Sequence, residues 1–172
     1  SLFWSAMQDS GWLPGIEKGL SPGQLAEKFL KLDYKGPFDL IFYCYYAFPT
    51  RYPEDINKLF GKVFFNEVIE PEAKGEFPNI LRSASADAVV AFNKGVFNLV
   101  AEDPVDRYIE RLGRGDCIQS RVEGIDRDVP IFLTYPTGWR YRKQYRELRK
   151  TSLTAIKEII TGRFKNQESN DL

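Results

Sequence analysis

The chain contains no histidine among its 172 residues and only two cysteines, Cys44 and Cys117. Histidine is the usual general base and the most common metal ligand of proteins. Its absence excludes Ser-His-Asp sites, Cys-His sites and histidine-based zinc sites. Two isolated cysteines cannot form a four-cysteine metal site and do not indicate a disulfide framework. We therefore expect no metal or redox cofactor, and a protein of the cytoplasm or nucleus.

Net charge and long apolar runs are also lacking. The 24 basic residues balance the 24 acidic ones, so no global field draws the protein onto polyanions, and any anion binding must come from a local patch. No apolar run is long enough to span a bilayer and no signal peptide is visible, so we expect no membrane association. Aromatic residues, in contrast, make up 15% of the chain, which leaves some rings free to stack on a ligand.

Three apolar runs have the length and composition of buried strands, at residues 39–48, 86–92 and 129–135. Because helical patterns lie between them, the sequence predicts a single α/β domain over residues 1–165, with three layers: a short, mainly parallel sheet and helices on both faces. A further strand, either before Ser1 or not recognised within the chain, would make this thin sheet more ordinary. Residues 166–172 are expected to form a flexible tail. The predicted helices cover residues 1–11, 23–32, 55–65, 95–100, 104–112 and 142–162, and residues 70–78 are predicted to form a polar loop.

Ligands of parallel sheets bind beyond the carboxyl ends of the strands, which here are residues 47–51, 93–95 and 135–139. The first end offers Tyr46 and Phe48 as stacking rings and Arg51 as an anion contact. The second offers Asn93 and Lys94, where a backbone turn and an ammonium group could meet a phosphate. Both segments are also compatible with ordinary connections between elements.

The third end opens a basic and aromatic stretch, TYPTGWRYRKQYRELRK, over residues 134–150. One interpretation is a nucleic-acid surface, and the other is the solvated face of an amphipathic helix. Helical phase favours the second interpretation from Tyr145 onward, because Tyr145 and Leu148 must face the core. The front half precedes the helix and carries the candidate nucleic-acid contacts Trp139, Arg140, Arg142 and Lys143.

Segments at these three strand ends resemble the uracil-DNA glycosylase superfamily. FYCYYAFPTRYPED, residues 42–55, resembles the second strand of the family and its Pro-Arg-Pro loop. ADAVVAFNKGVFNLV, residues 86–100, resembles the third strand and the helix after it. IFLTYPTGWRYRKQY, residues 131–145, resembles the fourth strand and the His-Pro-Ser loop, with Tyr135, Pro136 and Thr137 in the positions of that motif. The resemblance covers most of the chain.

The resemblance implies a protein that binds nucleic acid, DNA rather than RNA, and hydrolyses the N-glycosidic bond of a flipped base. It implies that Tyr135 and Thr137 face the flipped nucleotide. The chain departs from the family where Tyr135 replaces histidine, since a tyrosine is not a cation at neutral pH, and where no asparagine lies near Tyr43. Three functions therefore stay open: a glycosylase, a non-catalytic member of the fold that binds a nucleotide, a nucleic acid or a protein, and a small-molecule α/β enzyme unrelated to nucleic acid. No motif in the sequence indicates the third.

Overall fold

The computed structural model describes residues 2–14, 16–17, 19–31, 36–46, 53–136 and 145–170. No helix in these ranges is both long and apolar enough to cross a membrane. The helices are α1 (Leu2–Asp9), α2 (Pro22–Leu30), α3 (Pro53–Phe60), α4 (Lys62–Phe64), a π-helical turn (Phe65–Ile69), α5 (Glu70–Ser83), α6 (Lys94–Val100), α7 (Tyr108–Gly113) and α8 (Arg146–Asn170), and the strands are β1 (Val89–Ala91), β2 (Ile118–Arg121) and β3 (Pro130–Leu133).

The three strands form one mixed sheet in the order β1-β3-β2. β1 runs parallel to β3, with Val89 opposite Ile131, whereas β2 runs antiparallel to β3, with Ile118 opposite Leu133. The prediction of a mainly parallel sheet is therefore correct for the β1–β3 pair only. Two predicted strands, at residues 86–92 and 129–135, are confirmed in shorter form.

Alternate side chains of the central strand enter two separate hydrophobic clusters. Ile131 and Leu133 belong to the first cluster, and Phe132 belongs to the second, because successive side chains of a strand point to opposite faces. The first cluster includes Phe77 of α5, Phe97 of α6 and Leu112 of α7, and the second includes Met7 of α1, Leu25 of α2, and Leu153 and Ile156 of α8. Helices therefore pack against both sides of β3.

Helix α2 begins at Pro22, one residue before the predicted start. The Ser21 hydroxyl accepts a hydrogen bond from the Gln24 backbone N–H at 3.3 Å, and the Gln24 side chain accepts one from the Ser21 N–H at 2.8 Å. This is a reciprocal capping box, with Pro22 at the first helical position. A helix that begins at this point was predicted and is confirmed.

The predicted strand at residues 39–48 is wrong over its described part, residues 39–46, which contain no strand. The side chains of Ile41, Phe42 and Tyr43 are 67%, 44% and 41% exposed, so this run is not buried on both faces. A strand needs a hydrogen-bonded neighbour, and within the described residues β1 pairs only with β3. The third strand of the sheet is β2 instead, whose residues are alternately buried and exposed.

The predicted polar loop at residues 70–78 is also wrong, because these residues belong to α5. Pro71 sits in the first turn, where proline is tolerated, and Ala73, Phe77 and Leu81 form a buried stripe at four-residue spacing. Packing of this stripe outweighs the helix-breaking tendency of Gly75 and Pro78. At the other end of the chain, α8 continues to Asn170, and the mobility of residues 166–172 stays a prediction.

Candidate functional site at the carboxyl edge of the sheet

Parallel pairing brings two of the predicted site segments to one edge of the sheet. β1 ends at Ala91 and β3 ends at Leu133, and these two residues are register partners. The pairing extends one residue further, because the Thr134 N–H donates to the Ala91 carbonyl oxygen at 3.0 Å. The turn at residues 93–95 and the chain that leaves β3 therefore start from neighbouring positions.

Asn93 is the N-cap of α6. Its side-chain oxygen accepts hydrogen bonds from the Gly95 N–H at 2.7 Å and the Val96 N–H at 3.3 Å. Gly95 suits this arrangement, because a Cβ at that position would lie only 3.0 Å from the Asn93 Oδ1. The Asn93 oxygen is thus committed to the helix start, as the simpler interpretation of this segment predicts.

Replacing Asn93 by alanine is expected to lower the free energy of unfolding by about 1 kcal/mol, because two backbone N–H groups lose their acceptor. Urea denaturation measures this change. Asn93→Ser is the control, since serine caps equally well and should change stability by less than about 0.5 kcal/mol. Equal stabilities for the alanine variant and the wild type would contradict the capping role.

Lys94 extends from the first turn of α6 and remains available to an anion. Its Nζ lies 3.6 Å from the Asp106 Oδ1, and the Asp106 side chain is 99% exposed. Exposed ion pairs of this kind contribute little to stability. The ammonium group can therefore exchange Asp106 for an incoming phosphate at small cost.

Tyr135 is fully buried, with 0% of its surface exposed. Its ring stacks on Tyr145, the residue directly before α8, with centroids 5.4 Å apart and ring planes at 17°, and its hydroxyl donates to the Ile109 carbonyl oxygen at a long 3.5 Å. Burial, and then the neighbouring Tyr145, raise the pKa of this phenol. In this structure Tyr135 is a neutral side chain that packs between α7 and α8.

Two further contacts fix the point where the chain leaves β3. The buried Thr134 hydroxyl donates to the Ser152 hydroxyl of α8 at 3.1 Å, and Arg149 donates from its Nη2 to the Pro136 carbonyl oxygen at 2.8 Å. Arg149 is only 1% exposed, and burial lowers the pKa of its guanidinium. A buried cation therefore supports the backbone directly before residues 137–144.

The sequence interpretation missed Arg149, because it expected the charged residues after Tyr145 to be solvated. That expectation is correct for Arg146 and Lys150, which are exposed, and wrong for Arg149. A signal was present in the helical spacing. Arg149 stands four residues before Leu153, which is followed at intervals of three and four by Ile156 and Ile160, and all of these are buried.

The other residues predicted for this edge cannot be placed in the same way. Thr137, Trp139, Arg140, Arg142, Lys143, Arg51 and Phe48 lie outside the described residues. Their proposed contacts stay predictions.

Comparisons of the chain with protein-family models, with curated proteins and with solved structures found no match. The resemblance to the uracil-DNA glycosylase superfamily therefore stays a prediction from the sequence.

Tyr46, predicted as a stacking ring, is half-buried. It packs edge-on against Tyr45, with centroids 5.0 Å apart, and against Phe65 of the π-helical turn at 5.3 Å. Because residues 45 and 46 form no strand, their side chains are not held on opposite faces and the two adjacent rings can touch. Burial and then the Glu70 carboxylate raise the pKa of Tyr46, and similar causes raise the pKa of Tyr45 to about 12.

A cleft of about 290 Å³ lies at the opposite, amino-terminal edge of β1 and β3. Its charged side chains pair with one another: Arg127 lies 3.6 Å from Asp87, and Arg163 lies 3.0 Å from Asp128. These pairs leave little uncompensated charge for a ligand. Within the described residues, no group of three or more carboxylate, thiol or imidazole side chains is arranged to hold a metal ion.

Proposed function

We propose that this chain is a divergent member of the uracil-DNA glycosylase superfamily that binds nucleic acid at the carboxyl edge of its sheet. The observation that carries the proposal is the parallel pairing of β1 with β3. It brings the turn with Lys94 beside the start of the basic and aromatic segment, and carboxyl ends of strands are the usual binding edge of such sheets.

The described contacts support a binding role for the residues that follow Pro136. Arg149 and Thr134 hold the chain to α8 directly before this segment. In the proposal Trp139 stacks on a base, while Arg140, Arg142 and Lys143 bind phosphates. Arg51 and Lys94 add positive charge, and Phe48 adds a ring.

The burial of Tyr135 favours binding over hydrolysis. A catalytic group must reach the reacting atoms, whereas the Tyr135 hydroxyl is directed toward the Ile109 carbonyl. Hydrolysis of an N-glycosidic bond is the second candidate function. Its support is the likeness of residues 135–137 to the family motif, with Thr137 then the residue that touches the nucleotide. The proposal also includes three layers around the sheet, an intracellular location and DNA as the preferred nucleic acid.

Removing Arg140 and Arg142 together is expected to weaken binding to a short DNA duplex by about tenfold for each phosphate that is no longer bound. The slope of log affinity against log salt should fall by about 2, since each phosphate bound by a cation contributes about 0.9. Fluorescence anisotropy at several salt concentrations measures both quantities. The matched control is Lys31→Ala/Arg114→Ala, which removes two exposed cations from other elements and should leave the slope unchanged.

The absence of measurable binding to DNA or RNA at low salt would overturn the proposal. Abasic-site formation on a panel of oligonucleotides with modified bases separates the two candidates. Cleavage that disappears in Thr137→Ala and persists in Tyr135→Phe would favour the glycosylase, and binding without cleavage would favour the non-catalytic member.

A further inference from the structure

The outer edge of β1 is open. β1 pairs with β3 on one side, and across the described residues no other strand pairs with it. The Ala91 carbonyl oxygen accepts from the Thr134 N–H of β3's continuation at 3.0 Å, so the backbone groups of Ala91 face β3. Because successive residues of a parallel strand direct their hydrogen bonds to opposite sides, the N–H and carbonyl oxygen of Val90 point away from β3. No other described residue hydrogen-bonds to them.

Burial indicates the same open edge. Phe132 in the central strand is 0% exposed, whereas Val89 and Val90 of β1 are only partly buried, although a hydrophobic cluster lies on each face. A strand that is covered on both faces and both edges has fully buried side chains, as β3 does. The described chain therefore leaves one edge of β1 uncovered.

Residues 38–45 have the side-chain alternation of a strand, although they form none. Leu40 packs against the second hydrophobic cluster. Tyr43 and Tyr45 contact Phe77 of the first cluster instead, with ring centroids 6.0 Å and 5.7 Å away. Even-numbered and odd-numbered positions thus face opposite clusters, as in a strand.

Residues 88–92 alternate between the same two clusters. Val89 and Ala91 belong to the first cluster or pack against it, and Ala88, Val90 and Phe92 pack against the second. Because both segments divide their side chains between the same clusters, residues 38–45 lie in the same layer of the fold as β1.

The spacing between these two segments corresponds to one further strand. The Phe3 ring of α1 contacts both Phe42 and Phe92, with centroids 5.3 Å and 5.1 Å away, and of the described rings these two do not contact each other. Two ring contacts of this length span up to about 10 Å, roughly twice the ~4.8 Å between neighbouring strands. We name the space between β1 and residues 38–45, with Phe3 on one face and Phe77 on the other, the edge slot.

We propose that the edge slot binds one extended peptide strand of a partner, which pairs with the backbone of Val90 and widens the sheet. An open strand edge presents N–H and carbonyl groups at the spacing of another strand. In such complexes backbone hydrogen bonds provide affinity, and pockets for alternate side chains provide specificity. Phe3 and Phe77 offer apolar surface on the two faces, so the bound strand carries apolar side chains at successive positions.

The shape and chemistry of the edge slot disfavour other occupants. A nucleic acid or a lipid surface has no row of alternating donors and acceptors that matches a strand edge. A second copy of this chain cannot bring its own β1 into the slot, because residues 38–45 of that copy flank the same edge. A single extended segment meets neither obstacle.

The border of the edge slot carries carboxylates. Burial, and then the Glu76 carboxylate, raise the pKa of the Tyr43 phenol, so Glu76 lies near this wall. Asp39 lies within residues 38–45 and is exposed. Asp87 is already paired with Arg127 at 3.6 Å, whereas within the described residues neither Asp39 nor Glu76 forms an ion pair. A strand with basic residues at its ends matches this border.

Binding of a synthetic peptide tests the proposal. The probe is a fluorescein-labelled peptide of six valine and leucine residues with two lysines at each end. Fluorescence anisotropy should give a dissociation constant of about 10–100 μM. The same peptide with an N-methyl group at every second residue keeps its side chains but loses backbone donors, so it should bind at least about tenfold more weakly.

A matched pair of variants locates the peptide. Ile41→Asp places a charge on the wall of the edge slot and should weaken peptide binding by at least about tenfold. Leu59→Asp makes the same change on α3 and should have no effect. The two side chains are 67% and 69% exposed, so both variants should keep the wild-type circular dichroism spectrum.

Hydrogen exchange of backbone amides identifies the edge itself. In the chain alone, the Val90 amide should exchange faster than the Ala91 amide, because only Ala91 faces β3. Saturating peptide should slow the Val90 amide by at least about tenfold and leave amides of α3 unchanged. This measurement needs no substitution.

Four results would overturn the inference. They are no peptide binding up to about 1 mM, equal binding of the N-methylated peptide, equal weakening by Ile41→Asp and Leu59→Asp, and a Val90 amide that is as protected as Ala91 without peptide. The last result would assign the edge to residues 38–45 themselves. The inference does not depend on the proposed function: Arg140→Ala/Arg142→Ala should bind the peptide with wild-type affinity, so the two proposals can fail separately.

Discussion

Replacing Arg149 by alanine is expected to lower the free energy of unfolding by about 3 kcal/mol. The guanidinium is 1% exposed and donates to the Pro136 carbonyl oxygen at 2.8 Å. Its removal leaves a cavity beside α8 and a partly buried carbonyl without this donor, and each of these changes costs about 1–3 kcal/mol. The removal of a desolvated charge offsets part of that cost. Chemical denaturation gives the difference directly.

Two further variants are compared with Arg149→Ala. One controls for the loss of an exposed cation, and the other separates the lost hydrogen bond from the lost side-chain volume. Lys150→Ala removes the exposed neighbour of Arg149 and should change stability by less than about 0.5 kcal/mol. Arg149→Met keeps most of the volume and removes the donor, so it should cost about 1–2 kcal/mol. Arg149→Met should also weaken nucleic-acid binding, because the chain after Pro136 loses its anchor. Equal stabilities for Arg149→Ala and Lys150→Ala would contradict a structural role for the buried guanidinium.

Replacing Phe132 by alanine is expected to lower the free energy of unfolding by about 4 kcal/mol. Phe132 is 0% exposed and is the residue of β3 that enters the second hydrophobic cluster. The substitution leaves a cavity in the middle of the central strand. Neighbouring residues cannot move in to fill this cavity, because β1 and β2 hold the backbone of β3 on both sides. Guanidinium denaturation measures the change.

The comparison variant is Phe42→Ala. Phe42 contacts Phe3 and Trp4, with ring centroids 5.3 Å away in both cases, and is 44% exposed. Removing these half-exposed, edge-on ring contacts is expected to cost about 1–1.5 kcal/mol. If Phe42→Ala proved as destabilising as Phe132→Ala, the second cluster would not be centred on β3 as the structure describes.

Local sequence patterns predicted the elements whose signals lie within a few residues. The start of the helix predicted from residue 23 and the turn at Asn93 needed no distant partner, because in both a side chain meets the backbone within three residues. The apolar runs around Val90 and Phe132 were long enough to indicate buried strands. From these the carboxyl edge of the β1–β3 pair could be predicted as a candidate site.

Elements that depend on contacts with distant parts of the chain could not be predicted in this way. Residues 39–46 have a more apolar sequence than β2, yet β2 pairs with β3 and residues 39–46 form no strand. Strand formation depends on a neighbour that is distant in the chain, and β propensity measures only compatibility with such a neighbour. The helix at residues 70–83 likewise depends on the packing of Phe77 and Leu81 in the first hydrophobic cluster.

The amino-acid composition excludes histidine chemistry and gives no net charge, and local patterns predict two apolar strands of a sheet, each followed by charged or aromatic residues. Which of these side chains are buried follows from the packing of the fold. Tyr135 and Arg149 lie in the interior, whereas Leu59 and Val63 are exposed. The physical reason is the same in each case: burial depends on which distant elements pack together, and a local pattern does not contain that information.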